Sequence, residues 1–156
     1  MEKSIPDLLA EHAFFRDLTP QALDLLAGCG KNVHFDAGQY IAREGDQADT
    51  FYALRRGRVA VQVHSPEGGP LVVQTLGVGD VLGWSWLFPP HQWHFDAVAM
   101  ESTSAVEFDG ACLRGKCESD VAIGFGFVRR FAQVIVQQLE AARLQLMDVY
   151  GRTNSS

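Results

Sequence analysis

Residues 36–63 read DAGQYIAREGDQADTFYALRRGRVAVQV, and the spacing of their glycines decides the fold. Gly38, Gly45 and Gly57 each sit in a short polar cluster: Asp36-Ala37-Gly38, Glu44-Gly45-Asp46 and Arg56-Gly57. Such clusters are turn chemistry, because glycine adopts the left-handed backbone of a tight reversal and short polar side chains bond their own main chain. Between the turns, β-branched and aromatic residues predict strands over 40–42, 51–54 and 58–63. In the last of these Val59, Val61 and Val63 point one way while Arg58, Ala60 and Gln62 point the other, as in a strand with one covered face. Strands this short and closely punctuated form a sandwich or a barrel.

The same period continues on both sides. Val33 and Phe35 alternate against Asn32 and His34 upstream, and Gly68-Gly69 separates the third strand from another over 71–76, with two more over 95–100 and 105–108. Residues 4–28 have a helical period instead, carried by Ile5, Leu8 and Leu9 and then by Phe14, Phe15 and Leu18. Thr19 is an N-cap with Pro20 in the first helical position, and Gly28 or Gly30 ends that helix. Asp109 caps a short helix over 110–117, and Ser119 or Asp120 starts a long one that reaches about Tyr150. The polar residues 151–156, GRTNSS, read as a frayed tail. The expected organisation is one domain over 1–156, with N-terminal helices at 4–30, a β body at 31–108 and C-terminal helices at 109–150.

In the long helix Val128, Phe131, Ile135, Leu139, Ala142, Leu146 and Val149 step by three or four and draw one apolar stripe of about six turns. A stripe of that length exceeds what a small β body covers, so its far half is expected to pack against a second copy of the chain, giving a homodimer. The other arrangement is a helix folded back on its own body.

Composition narrows the classes of function. Nineteen acidic residues against thirteen basic ones leave a net charge of −6, which gives nucleic acid or an anionic membrane no electrostatic attraction. Cys29, Cys112 and Cys117 contain no CxxC pair, so neither a disulfide framework nor a thiolate metal site is expected. No signal peptide or membrane-length apolar run is present in the sequence, and the expected location is the cytoplasm. No nucleophile–base pair or phosphate-cradling loop with a following lysine stands out, so no enzyme is expected.

Residues 79–98, GDVLGWSWLFPPHQWHFDAV, hold all three tryptophans. Gly79-Asp80 reads as a turn, Gly83 as a point of close backbone approach, and Pro89-Pro90 excludes both helix and central strand. A loop so rich in aromatic rings closes a pocket or an interface.

With this order established, the chain resembles a cyclic nucleotide-binding domain of the Crp/Fnr (cAMP receptor protein-like) type over about residues 5–148. The match rests on Gly38, Glu44-Gly45-Asp46, Tyr52, Leu54, Gly57 and Val59, and then on Gly79-Asp80 followed by Leu82-Gly83. The resemblance implies a mainly β fold with flanking helices. Its body is a double-stranded β-helix, or jelly-roll, of about eight strands, with N-terminal helices, a small helix after Gly83 and a long C-terminal dimerisation helix.

In a typical member the phosphate-binding cassette reads F-G-E, then a short apolar helix, then a loop ending in R-[ST]-A. Helix N-terminal amides and the arginine hold the cyclic phosphate, and the glutamate accepts from the ribose hydroxyl. The matching positions here are Leu82-Gly83-Trp84 and His94-Phe95-Asp96, so Trp84 replaces the glutamate and His94 or Phe95 the arginine. An indole only donates, and Asp96 adds a negative charge that opposes a phosphate. Losing the bidentate contact costs several of the roughly 8 kcal/mol that micromolar affinity needs.

The resemblance therefore implies a non-catalytic regulatory or sensory domain with an altered pocket rather than a tight cAMP binder. Three states of the cassette stay open. Gly83 and Ser85 can offer an anion nest of backbone amides, Trp84, Trp86 and Trp93 can form a box for a flat ligand, or the rings can fill the pocket as core. No cofactor is firmly implied; a cyclic nucleotide or another small aromatic or anionic ligand fits the class. The alternatives are a working cAMP or cGMP receptor and a cupin-like metal protein, although His34, His64, His91 and His94 lack the cupin spacing and no metal ligand set is expected. Crp/Fnr regulators carry a helix-turn-helix after the dimer helix. This sequence ends at Ser156 without one, so no DNA binding is expected and action through an unidentified protein partner is.

Overall fold

The computed structural model describes residues 4–16 and 18–154, without the side chains of Pro6 and 149–154. Helix α1 (Ile5–Glu11), a 3-10 turn (Ala13–Phe15) and α2 (Pro20–Ala27) precede eight strands. These are β1 (Gly30–Phe35), β2 (Tyr40–Ala42), β3 (Thr50–Arg56), β4 (Val59–Ser65), β5 (Gly69–Leu76), β6 (Val81–Leu82), β7 (Asp96–Ala99) and β8 (Thr103–Asp109). A second 3-10 turn (Ser85–Leu87) lies between β6 and β7, and α3 (Gly110–Ser119) and α4 (Val121–Asn154) follow.

Local chemistry sets these boundaries. Thr19 Oγ1 accepts from Ala22 N at 3.2 Å with Pro20 in the first turn, and the Gly28 N–H closes α2 on Asp24 O. Asp109 Oδ1 accepts from Cys112 N at 3.1 Å, and Asp120 Oδ1 accepts from Ile123 N at 3.2 Å, so each C-terminal helix starts on an aspartate. Gly57 has φ +90°, and a Cβ there would strike Thr103 and the Ser102 carbonyl, so two independent constraints require glycine in this turn.

The strands form two antiparallel four-stranded sheets, ordered β1-β8-β3-β6 and β2-β7-β4-β5. The first is covered on both faces, and its period of two sorts the side chains between two cores. Phe51 and Ala53 of β3, with Val106 and Phe108 of β8, face the helices and meet Leu9, Phe15, Leu26, Leu113, Phe127 and Phe131. Tyr52, Leu54 and Ala105 face the roll interior and meet Val59, Val61, Leu82, Phe95 and Ala97.

The expected jelly-roll is thus observed, with local corrections. The two-residue β6 is too short to show a period, and it exists because Tyr52 and Ala53 of β3 offer it a ladder. Helix α4 continues to Asn154, four residues beyond the expected end and into the segment read as a frayed tail. Cys29 and Cys112, expected as unlinked thiols, form a disulfide with Cα atoms 5.9 Å apart across 83 positions. The fold brings the end of α2 against the start of α3, a proximity that no local spacing encodes.

Helix α4 carries two apolar faces where the sequence suggested one. Ile123, Phe127, Phe131 and Ala142 pack on the protein's own body, and Phe127 and Phe131 are 2% and 0% exposed. Phe131 is therefore core and is not available to a partner chain: Phe51, Trp86 and Phe14 enclose it at centroid distances of 4.9, 5.2 and 5.1 Å. Ala142 leans on the roll, and Ile135 is half-buried. Val128, Leu139 and Leu146 stay exposed, joined by Val121, Phe125, Val136 and Met147, while the Val149 side chain lies outside the described residues. At about 100° per residue the two faces are roughly a third of a turn apart, close enough to read as one stripe.

Candidate functional site

The cassette begins where β6 ends. Gly83 has φ +101°, and a Cβ there would lie 2.7 Å from Trp93 Cη2, so the main chain passes directly over that ring. The chain makes the 3-10 turn Ser85–Leu87, crosses Pro89-Pro90 and returns along the 44–48 turn. Three main-chain bonds fix the return: Ala48 N to His91 O at 2.7 Å, Gly45 N to Trp93 O at 2.8 Å and Trp93 N to Asp46 O at 2.9 Å. The Glu44-Gly45-Asp46 turn is thereby the other wall of the loop.

The three tryptophans do not form a box. Trp86 is 0% exposed in the helix-side core, stacked on Phe51 with centroids 5.1 Å apart and planes at 22°. Its indole N–H has no hydrogen-bond partner, so this ring serves packing. Trp93 is 5% exposed in the roll core, with Phe95 edge-on at 5.7 Å and itself 1% exposed. Only Trp84 remains at the cassette surface, half-buried and touching both cores. Leu82 is fully buried and belongs to the frame.

Around Trp84 the structure assembles a polar and aromatic group. Its indole lies on the His94 imidazole with centroids 4.8 Å apart and planes at 20°. Phe88 meets it edge-on at 6.4 Å. Ser85 Oγ and His94 Nδ1 are 2.9 Å apart, and Trp84 Nε1 donates to Gln138 Oε1 on α4 at 3.0 Å. Ser85 is 2% exposed, so its hydroxyl is turned into the protein rather than toward a substrate.

Asp96 forms the other side of the loop and is 4% exposed. Its carboxylate accepts from Glu44 N at 2.8 Å and pairs with His64 Nε2 at 2.8 Å. The burial of this charge is thus matched by a main-chain donor and a side-chain partner. The guanidinium that meets the cassette is Arg114, which reaches in from α3 and donates to the Trp86 carbonyl.

Trp84, Ser85 and His94 were legible as candidates; Gln138, His64 and Arg114 were not. A signal for Gln138 existed, because it is the one polar residue in the row Ile123, Phe127, Phe131, Val134, Gln138, Ala142 that steps along a single face of α4. Among the described residues no group of three or more His, Cys, Asp or Glu side chains could hold a metal ion, and no helix is long and apolar enough to cross a membrane.

Comparison with known proteins agrees with this geometry. Residues 32–120 match the family model for the cyclic nucleotide-binding domain. The chain is 31% identical over 109 residues to cGMP-dependent protein kinase 2 of Homo sapiens, covering 69% of this chain and 13% of the kinase. It is 26% identical over 108 residues to the CRP-like cAMP-activated global transcriptional regulator of Mycobacterium tuberculosis, covering 69% of this chain and 48% of the regulator. This chain thus spans about an eighth of the first relative and about half of the second. A solved structure of a provisionally named cyclic nucleotide-binding protein from Geobacter metallireducens GS-15 superposes with a TM-score of 0.77 at 26% identity, covering 86% of this chain and 97% of that one. The family model, the glycine-framed cassette and the two-sheet roll agree: this chain belongs to the cyclic nucleotide-binding domain family, with a Crp/Fnr-like jelly-roll.

Proposed function

We propose that this chain is a non-catalytic sensory module whose cassette has exchanged cyclic nucleotide recognition for a self-made cover. The supporting observation is the stack of Trp84 on His94. Trp84 stands at the position that the resemblance assigns to the ribose acceptor and His94 at one of the two it allows for the phosphate cation, the other being Phe95, and here Trp84 and His94 bind each other. Neither supplies a permanent cation, and the Asp96 carboxylate on the other side of the loop adds none. A cyclic nucleotide entering the cassette would have to displace Trp84 from His94 and from Gln138 without gaining an arginine.

The module signals through α4. Trp84 is hydrogen-bonded to that helix, so a ligand that lifts the indole also removes one tie between roll and helix. A flat or anionic small molecule that replaces the indole against His94 has the required chemistry. The exposed face of α4, with Val128, Leu139 and Leu146, suits a homodimer contact, and the acidic surface directs output to a protein partner rather than to DNA.

Isothermal calorimetry against cAMP, cGMP and cyclic dinucleotides tests the reading. Affinity for cAMP weaker than about 10 µM is the expected result; tighter binding overturns the altered pocket and makes the chain a working cyclic nucleotide receptor.

A further inference from the structure

We propose that Cys29–Cys112 is a reversible thiol–disulfide exchange site that latches α3, the short helix between the roll and α4. The inference concerns a different face of the molecule and does not depend on what the cassette binds.

Helix α3 is a junction. At its start the Gly110 N–H donates to Asp49 O at 2.6 Å, and a Cβ on Gly110 would lie 2.9 Å from Trp86 Cβ, so the helix begins hard against the cassette's 3-10 turn. Arg114 holds the Trp86 carbonyl, and at the far end Gly124 of α4 packs so closely on Cys117 that an added Cβ would come within 2.8 Å of its carbonyl oxygen. A displacement of α3 is therefore passed both to the cassette and to α4. On its remaining side α3 is tied to the end of α2 by Lys116 Nζ donating to Leu25 O at 2.9 Å and by the disulfide. The disulfide is the covalent one of these two ties, and it joins segments 83 positions apart.

The bond is reachable from the side of Cys112, which is half-buried, whereas Cys29 is 8% exposed. A cavity of about 430 Å³ opens onto both cysteines and is lined also by Lys31, Asp49, Glu107 and Asp109. Three carboxylates face one ammonium, and that ammonium pairs with Glu107 at 3.2 Å. The cavity is thus negative, which disfavours glutathione, whose thiolate adds to a net negative charge, relative to a dithiol whose attacking thiolate is its single charge. In the exchange a thiolate of the dithiol attacks one cystine sulfur and forms a mixed disulfide, and the displaced cysteine thiolate takes up a proton. The second thiol of the reductant then attacks the mixed disulfide. Two electrons and two protons have passed to the protein, which holds two thiols, and the reductant leaves as its own disulfide. Reduced protein keeps the far part of α3 against α2 by packing and Lys116, while Asp109 N still bonds Cys29 O at its start and Gly110 and Arg114 still hold Asp49 and Trp86.

The test uses the full chain, trapped with N-ethylmaleimide without added reductant and weighed after denaturation. One alkylated cysteine, Cys117, is expected before dithiothreitol and three after, with oxidised dithiothreitol restoring one. Hydrogen exchange in peptides spanning 110–127 should rise about tenfold on reduction in the wild type and in Cys117→Ser. Cys29→Ser should exchange at the reduced rate with or without dithiothreitol; if that variant does not fold, the reduced wild type supplies the same comparison. At matched thiolate concentration, dithiothreitol should act about tenfold faster than glutathione. Three alkylated cysteines that oxidised dithiothreitol cannot convert to one overturn the proposal, and so does a disulfide whose reduction leaves exchange over 110–127 unchanged.

Discussion

The indole N–H of Trp84 donates to Gln138 Oε1 at 3.0 Å, joining the cassette to the middle of the long C-terminal helix across 54 positions. The same ring covers His94, so one side chain closes the loop and ties it to α4. Removing the donor while keeping an aromatic ring isolates the tie. Trp84→Phe is expected to cost about 0.5–1.5 kcal/mol, the net worth of one hydrogen bond, and to speed amide exchange in α4 around 134–142 more than elsewhere. Urea denaturation with hydrogen exchange measures both, and unchanged exchange in α4 would show that the bond carries no coupling.

Restoring the two readers tests whether the loop keeps the shape of a nucleotide cassette. Trp84→Glu combined with His94→Arg supplies a ribose acceptor and a phosphate cation, each contact worth about 1.5–3 kcal/mol when charge-assisted. A gain of at least about tenfold in cAMP affinity is expected by calorimetry. No gain would mean that the path through Phe88 and Pro89-Pro90 holds position 94 where an arginine cannot reach the ligand.

Acid should destabilise the fold through His12. This ring is 8% exposed; Nε2 bonds Leu54 O at 3.1 Å and Nδ1 accepts from Phe14 N at 3.2 Å, an arrangement that needs the neutral ring. Burial lowers its pKa below the ordinary 6.5, offset in part by the Leu54 carbonyl and by Asp80. The unfolded chain therefore binds a proton near pH 6.5 that the folded chain refuses, and stability falls as pH drops through that value toward the lower folded pKa. Melting temperatures between pH 7.5 and 5.5 should show the slope, and His12→Gln should flatten it.

Reduction of the disulfide should lower the melting temperature. A native cross-link is worth about 2–5 kcal/mol, and in a domain of this size each kcal/mol moves the midpoint by about 2–4 °C. A drop on the order of 5–15 °C with dithiothreitol is expected in scanning calorimetry, and Cys117→Ser should show the same drop.

The two faces of α4 predict opposite phenotypes. Leu139→Glu, at a residue 66% exposed, should convert a dimer to a monomer in sedimentation while leaving urea stability nearly unchanged. Phe131→Ala, at a residue 0% exposed, should cost about 3–5 kcal/mol of stability. A wild-type chain that sediments as a monomer at micromolar concentration would remove the dimer reading.

Much of the fold was legible because glycine and period carry it. Gly57 announces a turn and Gly83 a close backbone approach, each at a positive φ that favours glycine, and the alternation of Val59, Val61 and Val63 along β4 needs only a local window. The helix caps at Thr19 and Asp109 were equally local. What stayed hidden depends on contacts between distant segments. Phe131 and Leu139 look alike along the helix, and only the position of Phe51 and Trp86 makes the first of them core. The Cys29–Cys112 bond and the Trp84–Gln138 tie each join residues more than fifty positions apart, and no spacing rule reaches that far. At the cassette, composition showed which ring types were present, but the division of the three tryptophans between two cores and one surface required the packed structure.

Gly83 has a consequence for how such a module can change its ligand. Its missing side chain is what lets the chain cross Trp93, so position 83 and the ring beneath it are bound to the integrity of the roll. Trp84 and His94 sit one step outside that constraint, half-buried and exposed respectively. Two codons can thus be rewritten without disturbing the architecture that presents them. A receptor built this way can lose one messenger and acquire another while its scaffold persists, but each rewriting of position 84 also rewrites the tie to α4.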